Sequence, residues 1–342
     1  MRVLHLVPSL ALGGTEAVAD LLDDLARAHG HASSVDLPFD RERPPGALSR
    51  ARWIAWALRR RDADVMHAHL AWPDRLGAAL LAARDRPLVI TSHLLPDGDH
   101  WPRDRITALD ARLMLRLAAR RPRTVFVTLS LRDRDRLADF GVASTVIRNA
   151  PPFPRAAQAP CAWPESGMRI ASVGRLHPQK GFDRMLRALA DPSLAGLPWH
   201  WAIAGDGPQR AELEALRDDL GLRARVTFAG ARPPLDVLGG ASVFVAPSRA
   251  EGMPLSPLEA LEAGVPVLLS DIAPHRELLG GVPGSLLPAD DTRWPDALRA
   301  RLATGTDPAL LEVQRAVLGG DPRERCWRET VSCYEAVRAR WA

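Results

Sequence analysis

The sequence has few cysteines and lacks the long apolar runs that build membrane spans. Its three cysteines, Cys161, Cys326 and Cys333, form no CxxC pair and no metal-binding spacing. This argues against a disulfide scaffold and favours a reducing compartment. No run of about 18 apolar residues is present, as a transmembrane helix would need. The apolar run near Met1 is too short for the core of a signal peptide, so we expect a cytoplasmic protein.

Lysine is almost absent, although the chain is basic. Lys180 is the single lysine among 45 basic residues, and the formal net charge is +4. This surplus of arginine favours phosphate-bearing ligands or an anionic membrane surface, and it is too small to indicate nucleic acid. Hydrophobic residues make up 46% of the 342 residues and charged residues 25%. Such a composition is typical of a globular enzyme, and the length accommodates two domains.

Short apolar strands alternate with helical segments in the first half, which predicts a parallel sheet. The strands are predicted at residues 2–7, 64–69, 87–91, 124–129 and 144–147. Gly13 and Gly14 follow the first strand and open a helix, where a ligand phosphate can approach the backbone. An ordinary tight turn explains this spacing equally well. Ligands bind at the carboxyl ends of such strands, where the sequence places His69, His93, Ser130 and Asn149.

A second α/β series follows a proline-rich segment. Residues 151–167 lack periodic apolar side chains, which predicts an interdomain linker. Strands are then predicted at residues 168–173, 200–204, 225–229, 242–246 and 265–269. The tail from residue 323 to 341 is predicted to be an amphipathic docking helix. Its apolar stripe consists of Trp327, Val331, Tyr334, Val337 and Trp341.

Two cations flank the turn after strand 168–173. The segment VGRLHPQKGFD, residues 173–183, places Arg175 and Lys180 before a predicted helix. A guanidinium fork and a mobile ammonium suit a diphosphate, whereas the alternative is a solvated basic turn. The segment AGDGP, residues 204–208, follows the next strand. Its glycines allow a base or ribose to approach the backbone, or they form a plain turn.

Two carboxylates meet at the start of one helix in residues 249–268. Glu251 lies in a loop, and Glu259 lies about a turn into a helix predicted to begin near Pro254. The helix start offers free N–H groups and a positive dipole end to an anion, and carboxylates accept hydrogen bonds from hydroxyls. This combination indicates a sugar nucleotide. An acidic first turn that caps the helix is equally compatible with the pattern.

Arginines also recur on helices predicted in the first half. Arg59, Arg60 and Arg61 end one helix, and Arg112, Arg116 and Arg120 follow one another at intervals of four residues. Such helices can contact anionic lipid or a lipid-diphosphate acceptor. A solvated face of a packed helix is the favoured interpretation.

Together these motifs resemble glycosyltransferase family 4, whose members have the GT-B fold. The matching segments are GGTE at residues 13–16, VGRLHPQKGFD, AGDGP and EGMPLSPLEA at residues 251–260. The resemblance spans nearly the whole chain and is looser between residues 36 and 123. It implies an α/β fold of two Rossmann-like doubly wound domains facing a cleft. The implied parts are an acceptor domain at 1–150, a linker at 151–167, a nucleotide-sugar donor domain at 168–322 and a helix at 323–342 that crosses back to the first domain.

The resemblance also implies roles for the donor-binding residues. Arg175 and Lys180 would hold the donor diphosphate and stabilise the leaving group. Glu259 would accept hydrogen bonds from the ribose hydroxyls, and Glu251 would face the transferred sugar as a catalytic-site residue. The further donor-binding positions implied by the motifs are Gly205, Gly252 and Met253.

Other implied contacts come from backbone groups and from the first domain. The backbone around Leu255 and Ser256 would meet the phosphate at the helix start, and Gly14 would close on it from the other domain. The catalytic-site histidine of the family's first domain best matches His93, and His69 is the second candidate. A structural histidine with its own hydrogen-bond partners is the alternative for His93.

The activity implied by the resemblance is retaining transfer from a nucleotide-diphosphate sugar to a glycan or lipid-linked acceptor, in polysaccharide or glycolipid assembly. No DxD motif follows a strand, so we expect no metal and no cofactor: cations and helix N–H groups would stabilise the leaving phosphate. A sugar-nucleotide epimerase of the same fold and a non-catalytic nucleotide-sugar binding protein are the alternatives. We expect a cytoplasmic enzyme, peripheral at most to the inner membrane. The sequence does not identify the base, the sugar or the acceptor.

Overall fold

A computed structural model describes residues 1–7, 14–36, 62–70, 86–93, 120–121, 123–304 and 307–340. The described strands are β1 (Arg2–Leu6), β2 (Ala32–Asp36), β3 (Val65–Leu70), β4 (Leu88–Ser92), β5 (Thr124–Thr128), β6 (Ser144–Val146), β7 (Met168–Val173), β8 (Trp199–Ala204), β9 (Val226–Gly230), β10 (Val243–Ala246), β11 (Val267–Ser270) and β12 (Leu286–Leu287). The described α-helices are α1 (Gly14–Ala28), α2 (Leu131–Ala138), α3 (Phe182–Leu189), α4 (Arg210–Asp219), α5 (Leu235–Leu238), α6 (Leu255–Glu262), α7 (Ala273–Leu279), α8 (Trp294–Thr304), α9 (Pro308–Arg315) and α10 (Pro322–Ala339).

The chain divides into two compact units. The first contains Met1–Pro152 together with Asp321–Ala342, and the second contains Phe153–Gly320. Each unit is built on one six-stranded sheet. The predicted α/β fold of two doubly wound domains is confirmed, and each of the ten predicted strands is present within two residues of its expected ends.

The sheet of the first unit has the strand order β2-β1-β3-β4-β5-β6, and all its pairs are parallel. The central strands are apolar enough to be covered on both faces, and every residue of β4 is buried. The order reverses direction at β1, so the carboxyl ends of β1 and β3 flank a topological switch point. His5 and His69 lie on these two strands.

The sheet of the second unit has the order β12-β11-β10-β7-β8-β9, again all parallel. This is the strand order of a dinucleotide-binding fold, with its switch point between β7 and β10. Its core is large and contains the fully buried indoles of Trp201 and Trp294. The loops that carry the predicted diphosphate and sugar motifs leave the carboxyl ends of these two switch-point strands.

Helix α10 lies in the first unit, against its sheet. Trp327, Tyr334 and Val337 of the predicted stripe are buried, and Val331 is half-buried, whereas Trp341 lies outside the described residues. The helix is capped by Asp321, whose carboxylate accepts from the backbone of its first turn. The apolar stripe therefore forms the docking face that its spacing predicts.

The predicted linker, residues 151–167, packs on the second unit from Phe153 onward. The carboxylate of buried Asp236 accepts from the backbone N–H groups of Gln158 and Ala159, at 2.7 and 3.1 Å. The indole of Trp163 donates to the carbonyl of Gly239 at 2.8 Å. Because these bonds are made to one unit, the segment after Phe153 is a part of that unit.

No helix within the described ranges is long and apolar enough to cross a membrane. Of the arginines that indicated an anionic surface, Arg120 is exposed. The others, Arg59, Arg60, Arg61, Arg112 and Arg116, lie outside the described residues.

Candidate active site

The loop after β7 holds the two predicted diphosphate cations. A 3₁₀ turn spans Pro178–Lys180, and its start is capped by the imidazole of His177. Gly181 follows with φ of 67° and leads into α3, a backbone conformation that favours glycine. Arg175 is exposed and forms no ion pair with any described residue. Its guanidinium is therefore available to an anionic ligand.

The loop after β10 holds Glu251, whose carboxylate is buried. Lys180 Nζ donates to its Oε1 at 2.6 Å, and the Ser248 hydroxyl donates to the same oxygen at 2.7 Å. A buried carboxylate is costly without such partners, and Lys180 and Ser248 supply them. Within the described chain Oε2 has no hydrogen-bond partner, which leaves one oxygen for a ligand hydroxyl.

Backbone contacts join these two loops. The side-chain amide of Gln179 donates to the backbone carbonyl of Ala250 at 2.8 Å, and the backbone N–H of Arg249 donates to the carbonyl of Gln179 at 2.7 Å. The Arg249 guanidinium also forms a two-point pair with Asp183, at 2.6 and 2.7 Å. The spacing between Lys180 and Glu251 is thus set by the loop backbones as well as by their own ion pair.

Helix α6 begins immediately after the Glu251 loop, as predicted. Its N-cap residue is Pro254, and no side chain of the described residues caps its first turn. The N–H groups of Leu255 and Ser256 are therefore free to bind an anion. Upstream of the helix, Gly252 and Met253 are buried against the loop.

Glu259 lies half-buried on α6, about one turn from its start. Burial raises the pKa of its carboxyl group to about 7, the neighbouring Glu262 raises it further, and Arg155 opposes both effects. Near neutral pH this carboxyl group is therefore partly protonated. Hydrogen bonds from two ligand hydroxyls would favour its ionised form.

The glycine of the third loop has a packing role that the sequence did not indicate. Gly205 has φ of 150°, and a Cβ atom built on it would lie 1.9 Å from the carbonyl oxygen of Gly174. The absence of a side chain at this position thus lets the β7 and β8 loops pack closely, and the contact of Gly205 with a base or ribose stays a prediction. Gly205 keeps the loops after β7 and β8 in contact.

A histidine that the sequence analysis missed lies behind the Lys180–Glu251 pair. His275 on α7 is fully buried, and its Nδ1 lies 2.8 Å from the carbonyl oxygen of Ser270. Burial lowers its pKa; Glu251 raises it and Lys180 lowers it, so both charges act on the ring. The hydroxyl of Ser270 donates to the carbonyl of Ser248 at 2.5 Å and supports the Glu251 loop. No local motif marks His275, because it follows the next strand along the chain.

The first unit contains the predicted residues Gly14 and His93. Gly14 is exposed at the first position of α1. His93 is half-buried after β4, and its Nε2 lies 3.1 Å from Nδ1 of the fully buried His69. Of the two histidine candidates, His93 is therefore the one nearer the surface. Gly13 lies outside the described residues.

Two family models match this chain. Residues 167–304 match the family described as glycosyl transferases group 1, and residues 9–151 match glycosyltransferase family 4. These matches cover the second sheet, five of the six strands of the first sheet and both groups of predicted site residues.

Individual relatives agree with the family matches. A 2-deoxystreptamine glucosyltransferase of Streptomyces kanamyceticus is 30% identical over 284 residues, which cover 74% of this chain and 73% of that protein. The lipopolysaccharide core biosynthesis mannosyltransferase LpcC of Rhizobium leguminosarum bv. viciae is 35% identical over 153 residues, or 41% of this chain and 42% of that protein.

The fold also matches solved structures. WaaG, a glycosyltransferase involved in lipopolysaccharide biosynthesis, superposes with a TM-score of 0.74 at 18% identity, over 96% of this chain and 98% of that chain. At this level of identity the match concerns the fold.

Proposed function

The chain belongs to the group 1 glycosyltransferases of family 4, and on that premise we propose that it is a retaining, metal-independent enzyme. It transfers a sugar from a nucleotide-diphosphate donor to a glycan or glycolipid acceptor. The observation that carries this proposal is the Lys180–Glu251–Ser248 network at the switch point of the second sheet. It presents a cation and one unpartnered carboxylate oxygen beside the start of α6.

Donor binding follows from the charges at this edge of the sheet. Arg175 and Lys180 bind the diphosphate, and the N–H groups of Leu255 and Ser256 add neutral donors at the positive end of a helix. Glu259 accepts hydrogen bonds from the two ribose hydroxyls. Residues near Gly205 and Gly252 shape the backbone around the bound nucleotide.

Stabilising the leaving group requires positive charge near the diphosphate oxygen that separates from the sugar. As the bond from the sugar carbon to the diphosphate breaks, negative charge accumulates on the nucleoside diphosphate. Arg175, Lys180 and the first N–H groups of α6 are preorganised to stabilise that charge. We therefore propose that turnover does not require a divalent ion, and that EDTA-treated enzyme keeps its activity.

We propose retention of the anomeric configuration from the same geometry. Oε1 of Glu251 already accepts hydrogen bonds from Lys180 and from Ser248. Such a group suits hydrogen bonding to a sugar hydroxyl better than nucleophilic attack on the sugar. The acceptor therefore attacks on the face from which the diphosphate departs, and the diphosphate takes up the acceptor proton.

The acceptor class is proposed from the relatives. LpcC and WaaG are named for lipopolysaccharide biosynthesis, which supports a glycolipid acceptor and peripheral contact with the inner membrane face. The 2-deoxystreptamine glucosyltransferase supports a small aminocyclitol as the second choice. Flotation of the protein with vesicles that contain anionic lipid tests the membrane contact.

A panel of UDP-, GDP- and ADP-sugars tests the proposal. We expect release of the nucleoside diphosphate from one donor type, with retained anomeric configuration in the product by NMR. Inversion of the anomeric centre contradicts the mechanism. Epimerised donor formed without acceptor would instead favour an epimerase, and binding without any turnover would favour a non-catalytic protein.

A further inference from the structure

A column of polar side chains lies on the face of the first sheet that α10 covers. His5 on β1 is in register with His67 on β3, and His69 follows on the same face two residues later. All three imidazoles are buried. Buried polar groups need hydrogen-bond partners, so the bonding of this column decides which ring nitrogens carry protons.

Three of the histidines form a chain of hydrogen bonds. Nδ1 of His5 lies 3.0 Å from Nε2 of His69, and Nδ1 of His69 lies 3.1 Å from Nε2 of His93. His67 stands outside this chain, because its nitrogens lie 2.7 Å from the Tyr334 hydroxyl and 2.7 Å from the Thr91 hydroxyl. The chain therefore leads from the core to the half-buried ring of His93.

The members of the chain are neutral at physiological pH. Burial lowers the pKa of His5 to about 3 and that of His93 to about 4, and burial also lowers the pKa of His69. Each ring then carries one proton, and each nitrogen-to-nitrogen bond needs one N–H and one lone pair. The three tautomers are consequently coupled: all three rings carry the proton on Nδ1, or all three carry it on Nε2.

The inner end of the chain selects between these two states. Nε2 of His5 is buried and has no hydrogen-bond partner within the described residues. A buried N–H without an acceptor is rarer than a buried acceptor without a full set of donors. His5 therefore keeps a bare Nε2 and carries its proton on Nδ1, from which it donates to His69.

We infer that His5 and His69 are positioning residues that hold His93 in its Nδ1–H tautomer. His69 then donates to Nε2 of His93, and the N–H on the other side of the His93 ring is a hydrogen-bond donor. Such a ring can donate to a sugar or acceptor oxygen and cannot remove the acceptor proton. This functional part rests on the proposed assignment of His93 to the active site, whereas the tautomer itself does not.

The same column is a possible metal cluster by composition. The ligand nitrogens of His5, His67 and His69 all lie within 4.8 Å of one another. Zinc bound at about 2.0 Å by each ring would bring tetrahedral ligands to roughly 3.3 Å from one another and would remove the proton shared by His5 and His69. The observed hydrogen bonds give the ring nitrogens partners without any movement of the side chains. Metal binding is the competing outcome of the test.

The direct test is a long-range ¹H–¹⁵N NMR spectrum of the full chain with ¹⁵N-labelled histidine, at pH 7.5. The ten histidines are assigned by single substitutions. We expect pyrrole-type Nδ1 and pyridine-type Nε2 signals for His5, His69 and His93. An Nε2–H signal at His93 or His5 in the wild-type protein overturns the inference. So does stabilisation by Zn²⁺ that abolishes the three pyridine-type signals.

Substitutions at His69 test the coupling. His69→Asn keeps an N–H near the position of Nδ1 and should leave His93 in the Nδ1–H form. His69→Phe removes the donor, and His93 should change to the Nε2–H form that an isolated side chain prefers. Tyr334→Phe alters the same core without touching the chain and should leave the His93 signals unchanged. An unchanged His93 spectrum in folded His69→Phe contradicts the coupling.

Activity measurements distinguish the tautomer of His93 from its role in catalysis. We expect His69→Phe to lower the transfer rate by about tenfold or more and His69→Asn by less than about threefold. If His93 changes tautomer as expected while the rate stays constant, the hydrogen-bond chain is upheld and the role of His93 in catalysis is wrong. If donor turnover is absent in the wild-type protein, the proposed function fails, and the spectrum still decides the tautomer.

Discussion

Lys180 Nζ lies 2.6 Å from Oε1 of Glu251, and this ion pair connects the loops that follow β7 and β10. The two residues are 71 positions apart in the chain. The carboxylate is buried and the ammonium is partly exposed, with 22% of the lysine side-chain surface accessible. The cation can therefore contact a bound phosphate while it stays paired with the glutamate.

Glu251→Gln tests the role of that carboxylate. The amide keeps the size of the side chain but loses the charge that orders Lys180 and accepts from the sugar. We expect nucleotide affinity to change little and kcat to fall by about 100-fold or more, since hydrogen bonds to the reacting sugar act in the transition state. Steady-state kinetics with the native donor measure both. Glu312→Gln on the exposed surface of α9 is the control, and full turnover in Glu251→Gln would remove the assigned role.

Lys180→Met tests the other member of the pair. Without the cation the buried Glu251 carboxylate loses its charged partner, so the free energy of unfolding should fall by ~2 kcal/mol. The double variant Lys180→Met with Glu251→Gln should regain most of that stability and remain inactive. Denaturant unfolding of the wild type, both single variants and the double variant measures this coupling. Additive losses of stability would show that the two side chains do not interact.

The raised pKa of Glu259 predicts a dependence of stability on pH. An acid whose pKa is higher in the folded state than in the unfolded state binds its proton more tightly when folded. The contribution of Glu259 to the free energy of unfolding is therefore fully present below about pH 4.5. It is lost as the pH rises through about 7, which lowers the free energy of unfolding by up to ~3 kcal/mol. Glu259→Gln should be more stable than the wild type at pH 8 and about equal to it at pH 4.5. Equal stabilities at pH 8 would contradict this.

The same group predicts how nucleotide binding depends on pH. Ribose hydroxyls donate to the ionised carboxylate, so binding releases the proton that Glu259 carries below about pH 7. Affinity should therefore rise between pH 6 and pH 8. Calorimetry in buffers of different ionisation heat counts the released proton. No proton should be released when the nucleotide binds Glu259→Gln. A pH-independent nucleotide affinity of the wild type would contradict the proposed hydrogen bonds from the ribose hydroxyls to Glu259.

Gly205→Ala should disrupt the contact between the β7 and β8 loops. Its Cβ would lie 1.9 Å from the Gly174 carbonyl oxygen, at a backbone φ that side chains rarely adopt. We expect a loss of roughly 2–4 kcal/mol of stability together with weaker donor binding, because the Arg175 loop must move. Gly196→Ala is the matched control, since nothing lies within 4 Å of its added Cβ. Thermal unfolding of both variants measures the loss of stability. Equal melting temperatures of Gly205→Ala and Gly196→Ala would contradict the predicted disruption.

The inner strands of both sheets could be predicted from sequence, whereas of the four edge strands β6 and β9 were predicted and β2 and β12 were not. Inner strands such as β7 and β10 are apolar runs that are buried on both faces. The edge strand β2 has the sequence ASSVD, which carries little apolar signal, and β12 has two residues. Edge strands depend on a neighbour for half of their contacts, so their own residues specify them weakly.

The grouping of the candidate site residues was predictable where they lie in one segment. Arg175 with Lys180 and Glu251 with Glu259 occur in continuous motifs, and the structure brings all four to one unit at the same edge of its sheet. Their direct pairing could not be predicted, because it depends on which strands are neighbours.

Partners that are distant in the chain were missed. His275 contacts the Glu251 loop through the packing of α7, and no spacing rule connects it with Glu251. His5 and His69 are 64 residues apart, and strand pairing brings them together. The one available signal was the separation of His67 and His69 by two residues in a predicted strand, which places both on one face.

The nucleotide site of the second unit is tested most directly by calorimetric titration of UDP, GDP and ADP into the wild type, Arg175→Ala and Glu259→Gln at pH 8. If the carboxyl end of the second sheet is a nucleotide-sugar site, one nucleotide binds the wild type at a 1:1 ratio. Each substitution should weaken the binding of that nucleotide by about tenfold or more, which is the loss of affinity expected for a charge-assisted hydrogen bond. Binding of none of the three, or equal affinity in all three proteins, would contradict the account.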